Sequence, residues 1–312
     1  MKATREALKD ILPTMSITHQ DILVLDADIG SATRLVSFSE KFPERFFQIG
    51  IAEANMIGIA SGLSEHGFKV FLGSFASFIS GRYEIIRCSL AYPKQPVVII
   101  GSHVGMAIGK DGVTQMGLED VSIMRALPNM VILNPSTYTE AAHIVKYLCE
   151  TKLNSPHYLR MGRQPVSDSI ATIKNYQFEL GKGVRIANGT DITIFSTGCV
   201  LPDVIQAKTK IEESIDKTVR IINFHTLKPI DKDIIIKSAQ ETKYLFSIED
   251  HSVVGGLGSI IADTLSEYYP AKLVKIGLND EFPESGPPNK LYEKYGLSLN
   301  QISQRIISHV NR

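Results

Sequence analysis

Phe47-Gln48-Ile49-Gly50-Ile51-Ala52-Glu53-Ala54-Asn55-Met56-Ile57-Gly58 is the stretch around which the chain is organised. It reads as a turn at Gly50 leading into a helix of small and apolar residues over 51–66, closed by His66-Gly67. Glu53 stands at the head of that helix among apolar and neutral neighbours. Two readings are open for it. It is a first-turn acid favoured by the helix dipole, or it is a buried carboxyl that must hold a proton or hold a partner that shares one.

Outward from this helix, short apolar runs alternate with helical stretches. Ile22-Leu23-Val24-Leu25 reads as a buried strand ending in the polar loop Asp26-Ala27-Asp28-Ile29-Gly30-Ser31. Val70-Phe71-Leu72, Pro96–Ile100, Met130–Leu133 and Tyr158-Leu159-Arg160 read as further strands. Helices are expected over 3–12, Phe75–Tyr92, Leu118–Leu127 and Tyr138–Glu150. Such alternation predicts a parallel sheet covered on both faces. The loop from Gly101 to Gly117 is long and glycine-rich, a length usually tied to function.

The second half repeats the pattern. Strands are expected at 192–195, 219–222, 245–248 and 273–276, and helices at 200–213, 231–240 and 258–269. Gly255-Gly256-Leu257-Gly258 opens the last of these helices and reads as close helix–sheet packing more readily than as a phosphate cradle, because no dinucleotide fingerprint follows. The tail over 278–300 is expected to wrap the surface. The predicted class is therefore α/β, with two doubly wound domains over 1–165 and 191–312, the second smaller and mostly parallel. A linker with a lead-in hairpin is expected over 166–190.

Composition narrows the function classes. Of 312 residues, 44% are hydrophobic and 21% charged, which is globular. Lys plus Arg and Asp plus Glu balance at 33 each, leaving no electrostatic footprint for nucleic acid or an anionic membrane. Cys88, Cys149 and Cys199 form no C-x-x-C pair, so neither a disulfide framework nor a metal site is expected. No apolar run approaches the ~20 residues of a membrane span, and no signal-peptide core follows Met1. A cytoplasmic location is the expectation.

Several motifs now stand in order: Gly50–Met56, Gly73-Ser74-Phe75-Ala76-Ser77-Phe78, Gly101-Ser102-His103, Gly109-Lys110-Asp111-Gly112 and Arg125–Asn129. Together they resemble the pyrimidine-binding domain of transketolases. Thr226–Asp231, Glu249-Asp250-His251 and Gly255–Ser259 resemble the C-terminal domain of the same family. The resemblance covers nearly the whole chain and is nearest to the C-terminal subunit of a split transketolase.

That resemblance implies thiamine diphosphate as cofactor. Glu53 matches the glutamate that hydrogen-bonds the aminopyrimidine N1′ and promotes loss of the thiazolium C2 proton. Phe78 matches the residue stacked on the pyrimidine, with Phe75 beside it; two Phe at helical spacing also read as plain core. Asp28 and Ile51 are further cofactor contacts under this reading, while Asp26 reads as a solvated loop acid. His103 matches a histidine that contacts the substrate's reacting oxygen, and with Glu53 it makes up the catalytic pair. Asp111 matches a reader of a sugar hydroxyl, although a loop Asp before Gly is also a simple turn residue. Arg5 and Arg163 match arginines that bind a substrate phosphate. Arg160 competes with Arg163 for that register, and surface solvation is the plain reading of all three arginines.

Two positions depart from the family. Gln115 stands where the family has a histidine, and an amide hydrogen-bonds a hydroxyl without taking its proton. Ala32 stands where the family has a hydroxyl near the phosphate, with Ser31 and Thr33 as stand-ins. The chain also lacks the Gly-Asp-Gly run with which the family binds the diphosphate through a metal. The resemblance therefore implies an N-terminal partner subunit carrying that site with Mg²⁺ (or Ca²⁺), self-association to α2β2, and a sugar or sugar-phosphate substrate. The expected activity is transfer of a two-carbon ketol unit from a ketose to an aldose. The alternatives are a β-subunit of a 2-oxoacid dehydrogenase, a deoxyxylulose-phosphate synthase fragment, or a non-catalytic interaction subunit.

Overall fold

A computed structural model describes residues 1–174 and 176–312. Twelve strands are described: β1 (Ile22–Asp26), β2 (Phe46–Gln48), β3 (Lys69–Phe75), β4 (Val98–Ser102), β5 (Val131–Leu133), β6 (His157–Met161), β7 (Val184–Ala187), β8 (Ile192–Ser196), β9 (Val219–Asn223), β10 (Thr226–Lys228), β11 (Tyr244–Ser252) and β12 (Leu273–Leu278). They form two sheets, ordered β10-β5-β6-β4-β3-β1-β2 and β12-β11-β8-β9-β7. Within the first sheet only the β10–β5 pair is antiparallel, and within the second only β7–β9. The predicted α/β class with two mostly parallel sheets is what the structure shows.

The central strands explain why. β4 is Val-Ile-Ile-Gly-Ser and is buried along its whole length, as a strand covered by helices on both faces must be. Each buried Ile or Val there contributes roughly 1.5–3 kcal/mol relative to exposure. The helix Glu53–Glu65 covers β3 and ends at His66, with Gly67 at φ +90°. Helices Tyr138–Glu150, Lys232–Glu241 and Leu299–Val310 each begin at a side-chain cap, from Thr137, Asp231 and Ser298.

Several expectations need correction. The helix expected over Phe75–Tyr92 is broken into Ala76–Ser80, Tyr83–Ile86 and a wide turn Arg87–Ala91, and Phe75 is the last residue of β3. Among the described residues the expected lead-in hairpin is absent, because β7 pairs with β9 and not with its sequence neighbour β8. Within 166–190, Ile170 is fully buried and Val184–Ala187 is an edge strand, while residue 175 lies outside the described residues. The tail does not simply wrap the surface. Helix Pro288–Lys294 buries Leu291, and helix Leu299–Val310 packs on helix Leu201–Ile215 through Ile302 and Ile306. The sequence stretch 301–312 has the 3.6-residue apolar period that signals this helix.

The two sheets are joined by more than a linker. β10, from the second half, adds to the edge of the first sheet with Thr226 opposite Leu133. One apolar cluster runs from Leu72 and Ile99 through Val121 and Met124 to Ile222, Phe224 and Leu257. Among the described residues no helix is long and apolar enough to cross a membrane.

Candidate functional site

The C-terminal ends of β2, β1, β3 and β4 lie side by side, and most of the predicted site residues sit on them or on the loops that follow. This is where open parallel sheets present ligand-binding groups. Glu53, at the first turn of its helix, is 5% exposed, and Ser74 Oγ in β3 donates to its Oε1 at 3.0 Å. Among the described residues no ion pair reaches Glu53. It is a buried carboxyl with a hydroxyl and no cation beside it.

The residue after Ser74 begins an aromatic stack. Phe75 lies against the His103 ring at 3.9 Å between centroids, and Phe78 lies on its other neighbour side at 5.3 Å. Phe75 is buried, and Phe78 is half-buried. His103 follows β4 with φ +61°, uncommon for a residue with a side chain. Arg5 Nη1 lies 3.1 Å from its Nε2, and Ser102 Oγ lies 2.8 Å from its Nδ1. A guanidinium only donates, so Nε2 accepts and Nδ1–H donates to Ser102. Burial first, then Arg5, Arg163 and Arg34, push the imidazolium down to about 3. His103 is therefore a neutral ring with its proton on Nδ1.

Arg5 also donates to Ala32 O at 2.7 Å, while its buried Nε makes no hydrogen bond and lies 4.0 Å from Glu6 Oε1. Burial, with Arg34 and Arg163 nearby, lowers it to about 10, opposed by Glu6, and it stays charged at neutral pH. Arg34 meets Glu6 at 2.8 Å, and Arg163 meets Asp111 at 2.7 Å. These three arginines, with Lys2, Lys9, Glu6 and Asp10, line an open cleft of about 530 Å³. Arg34, with φ +74°, lines this cleft although nothing in its sequence neighbourhood marks it.

The remaining predicted residues are placed less centrally. Asp28 is exposed after β1 with φ +65°, and its N–H donates to Gln48 Oε1 at 2.8 Å. Ile51 is 83% exposed beside Glu53. Gln115 sits half-buried in the turn Val113–Gln115. Asp26 is not the solvated acid expected. It is fully buried, accepts from Gln48 Nε2 at 2.7 Å and from Ile29 N at 3.1 Å, and leaves Oδ1 unpartnered. Burial raises its carboxyl above the usual range, opposed by these hydrogen bonds.

Arg160 does not compete with Arg163. It is 3% exposed, pairs with Asp120 at 2.9 Å and donates to Gly117 O and Asp250 O. The helix start at Gly255–Gly258 is likewise committed internally, because the Glu249 carboxylate accepts from Leu257 N at 2.6 Å and Gly258 N at 2.8 Å. Burial pushes Glu249 up to about 7.

Comparison with known proteins places this geometry. The family described as "Transketolase, pyrimidine binding domain" matches residues 1–168, and "Transketolase, C-terminal domain" matches residues 181–302. A putative transketolase C-terminal section from Methanocaldococcus jannaschii is 38% identical over 100% of this chain and 97% of its own length. A 6-deoxy-6-sulfo-D-fructose transketolase subunit from Clostridium sp. is 35% identical over 96% of this chain and 91% of its own. Among solved structures, a split gene transketolase described as an inactive beta4 tetramer superposes with a TM-score of 0.89 at 38% identity, covering 99% of both chains.

Proposed function

The chain belongs to the transketolase family as a C-terminal section, and from that premise we propose how its residues serve the reaction. We propose that the chain binds the aminopyrimidine of thiamine diphosphate at Glu53 and completes its active site with a partner subunit that holds the diphosphate through Mg²⁺ (or Ca²⁺). The reaction is transfer of a two-carbon ketol unit from a ketose or ketose phosphate to an aldose. Support for the partner comes from the absent Gly-Asp-Gly run and from the split gene transketolase described as an inactive beta4 tetramer.

The observation that carries this reading is Glu53 itself. A carboxyl that is 5% exposed, accepts from a serine hydroxyl at one oxygen and meets no cation among the described residues can take a ring nitrogen as a further partner. Thiamine diphosphate, when bound, supplies the nucleophilic carbon on which the transferred unit travels. Glu53 would hold or move the proton at the pyrimidine N1′. Phe78, with Phe75 packed against it, would offer an apolar face to the ring, and Asp28 and Ile51 would line the rim.

The chain's remaining groups would handle the sugar. His103, neutral and fixed by Ser102 and Arg5, would accept or relay a hydrogen bond at a substrate oxygen. Asp111 and Gln115 would read hydroxyls. Arg5 and Arg163, with Arg34, would hold the anionic end of a sugar phosphate in the basic cleft. Residues 1–165 and 191–312 would act as the two domains of this unit, with self-association to α2β2.

The test is transfer activity of this chain mixed with a diphosphate-binding subunit, with and without Glu53→Gln. The substitution is expected to lower kcat by about 10²–10⁴-fold with an unchanged melting temperature. Full activity in Glu53→Gln, or turnover by the chain alone, would sink the reading.

A further inference from the structure

Glu249-Asp250-His251 lies just before the end of β11, and the Asp250 side chain has no part in the chemistry above. It is buried, and both of its oxygens are committed. Met106 N donates to Oδ1 at 3.0 Å, and Tyr292 O–H donates to Oδ2 at 2.6 Å. Arg160 is close, yet it takes the Asp250 backbone carbonyl, and its ion pair goes to Asp120. The Asp250 carboxylate therefore serves the Met106 backbone and is not spent as a counterion.

Met106 lies three residues beyond His103, in the loop that also carries Asp111 and Gln115. The second unit meets this loop at several further points. Gly286 N donates to Gly109 O at 3.4 Å, and Ser252 N donates to Leu118 O at 2.8 Å. Two loop glycines mark the closest approaches. Gly105, at φ +69°, leaves room for the Asp250 carboxylate, which any Cβ there would overlap. Gly112, at φ +84°, leaves the same room for the Ser285 hydroxyl. His103 is itself held at positive φ, a conformation that persists only where the surroundings over-determine it.

We propose that Asp250, oriented by Tyr292, is a positioning residue through which the C-terminal unit sets the loop that presents His103, Asp111 and Gln115 to the substrate. The proposal rests on the transketolase reading for what the loop contacts. It assigns the second unit a part in the reaction that needs no ligand of its own: it fixes the geometry of a loop in the other unit.

The test has two arms. In the complex with the diphosphate-binding subunit, Asp250→Ala and Tyr292→Phe are expected to raise the donor KM by about 10- to 100-fold, as a displaced contact loop should. The cofactor concentration needed for half-saturation stays unchanged. Asp250→Asn recovers most of the loss, because its amide oxygen still accepts from Met106 N. In the isolated chain, hydrogen exchange at the Met106 amide is expected to accelerate in Asp250→Ala and Tyr292→Phe and not in Asp250→Asn. Donor KM and Met106 exchange that stay at wild-type values in folded Asp250→Ala would overturn the proposal, as would a lowered melting temperature with no change in either. A wild-type complex that transfers no ketol unit would remove the functional reading and leave the exchange arm to decide the positioning role.

Discussion

Nη1 of Arg5 lies 3.1 Å from Nε2 of His103, a cation donating to a ring that must stay neutral to accept. Burial and the arginine cluster hold that imidazolium down to about 3. In an NMR titration the His103 Cε1–H signal is therefore expected to show no midpoint between pH 5 and 8. Arg5→Gln should move its midpoint upward, toward the ordinary histidine value of about 6.5. The linkage sign follows: the unfolded chain takes up this proton below about pH 6.5 and the folded chain does not until about pH 3, so His103 withdraws stability as pH falls through that window. A midpoint near 6.5 in the wild type would contradict the assigned contact.

Arg163 and Arg34 each have an acidic neighbour, Asp111 and Glu6, and each still faces the open cleft. A charge-assisted hydrogen bond to an anion contributes about 1.5–3 kcal/mol, or roughly 10- to 100-fold in affinity. Arg163→Gln and Arg34→Gln are expected to raise KM for a phosphorylated donor by such factors and to leave an unphosphorylated donor within about twofold. Equal effects on both donors would show that the cleft does not read the anion.

Gln115 gives a third prediction. An amide has no titratable proton near neutrality, whereas histidine does. Gln115→His is expected to add a limb near pH 6.5 to the profile of kcat/KM, with the fold unchanged. An unaltered profile would remove Gln115 from the substrate site.

The buried pair Arg160–Asp120 separates stability from chemistry. Its side chains are 3% and 0% exposed at 2.9 Å, and Tyr158 O–H donates to the same carboxylate at 2.8 Å. Asp120→Ala leaves a buried guanidinium without its counterion and is expected to cost about 3–5 kcal/mol in a urea titration. A cost below about 1 kcal/mol would mean that the pair is weakly coupled to folding.

Much of this molecule was legible because its strands are Val, Ile and Leu runs buried on both faces, a pattern independent of distant partners. β2 and β10 were not legible, since three residues carry no period and exist as strands only because β1 and β5 accept them. The helix expected from Phe75 starts one residue too early, because β3 runs on through Phe75. Glu53, His103, Arg5 and Arg163 stand out as candidates through the family resemblance. Ser74 and Asp250 lie within the quoted motifs and Arg34 outside them, but none of the three takes a role from the sequence, because what each does depends on what it faces across the fold. Asp26 was misread for the same reason: two residues from exposed Asp28, it turns inward to Gln48 and Ile29.

The strand β10 has one more consequence. Because Thr226–Lys228 completes the edge of the first sheet beside β5, and Lys228 Nζ donates to the carbonyls of Arg125 and Leu127, the second half carries a piece of the first. Cutting this chain at residues 166–190 would not release two self-sufficient modules. One fragment would be left with a raw sheet margin prone to pairing with a stranger, and the other with an orphaned strand. Chimeras that exchange substrate preference between relatives should therefore be spliced outside this pair of units, keeping β5 and β10 from the same parent.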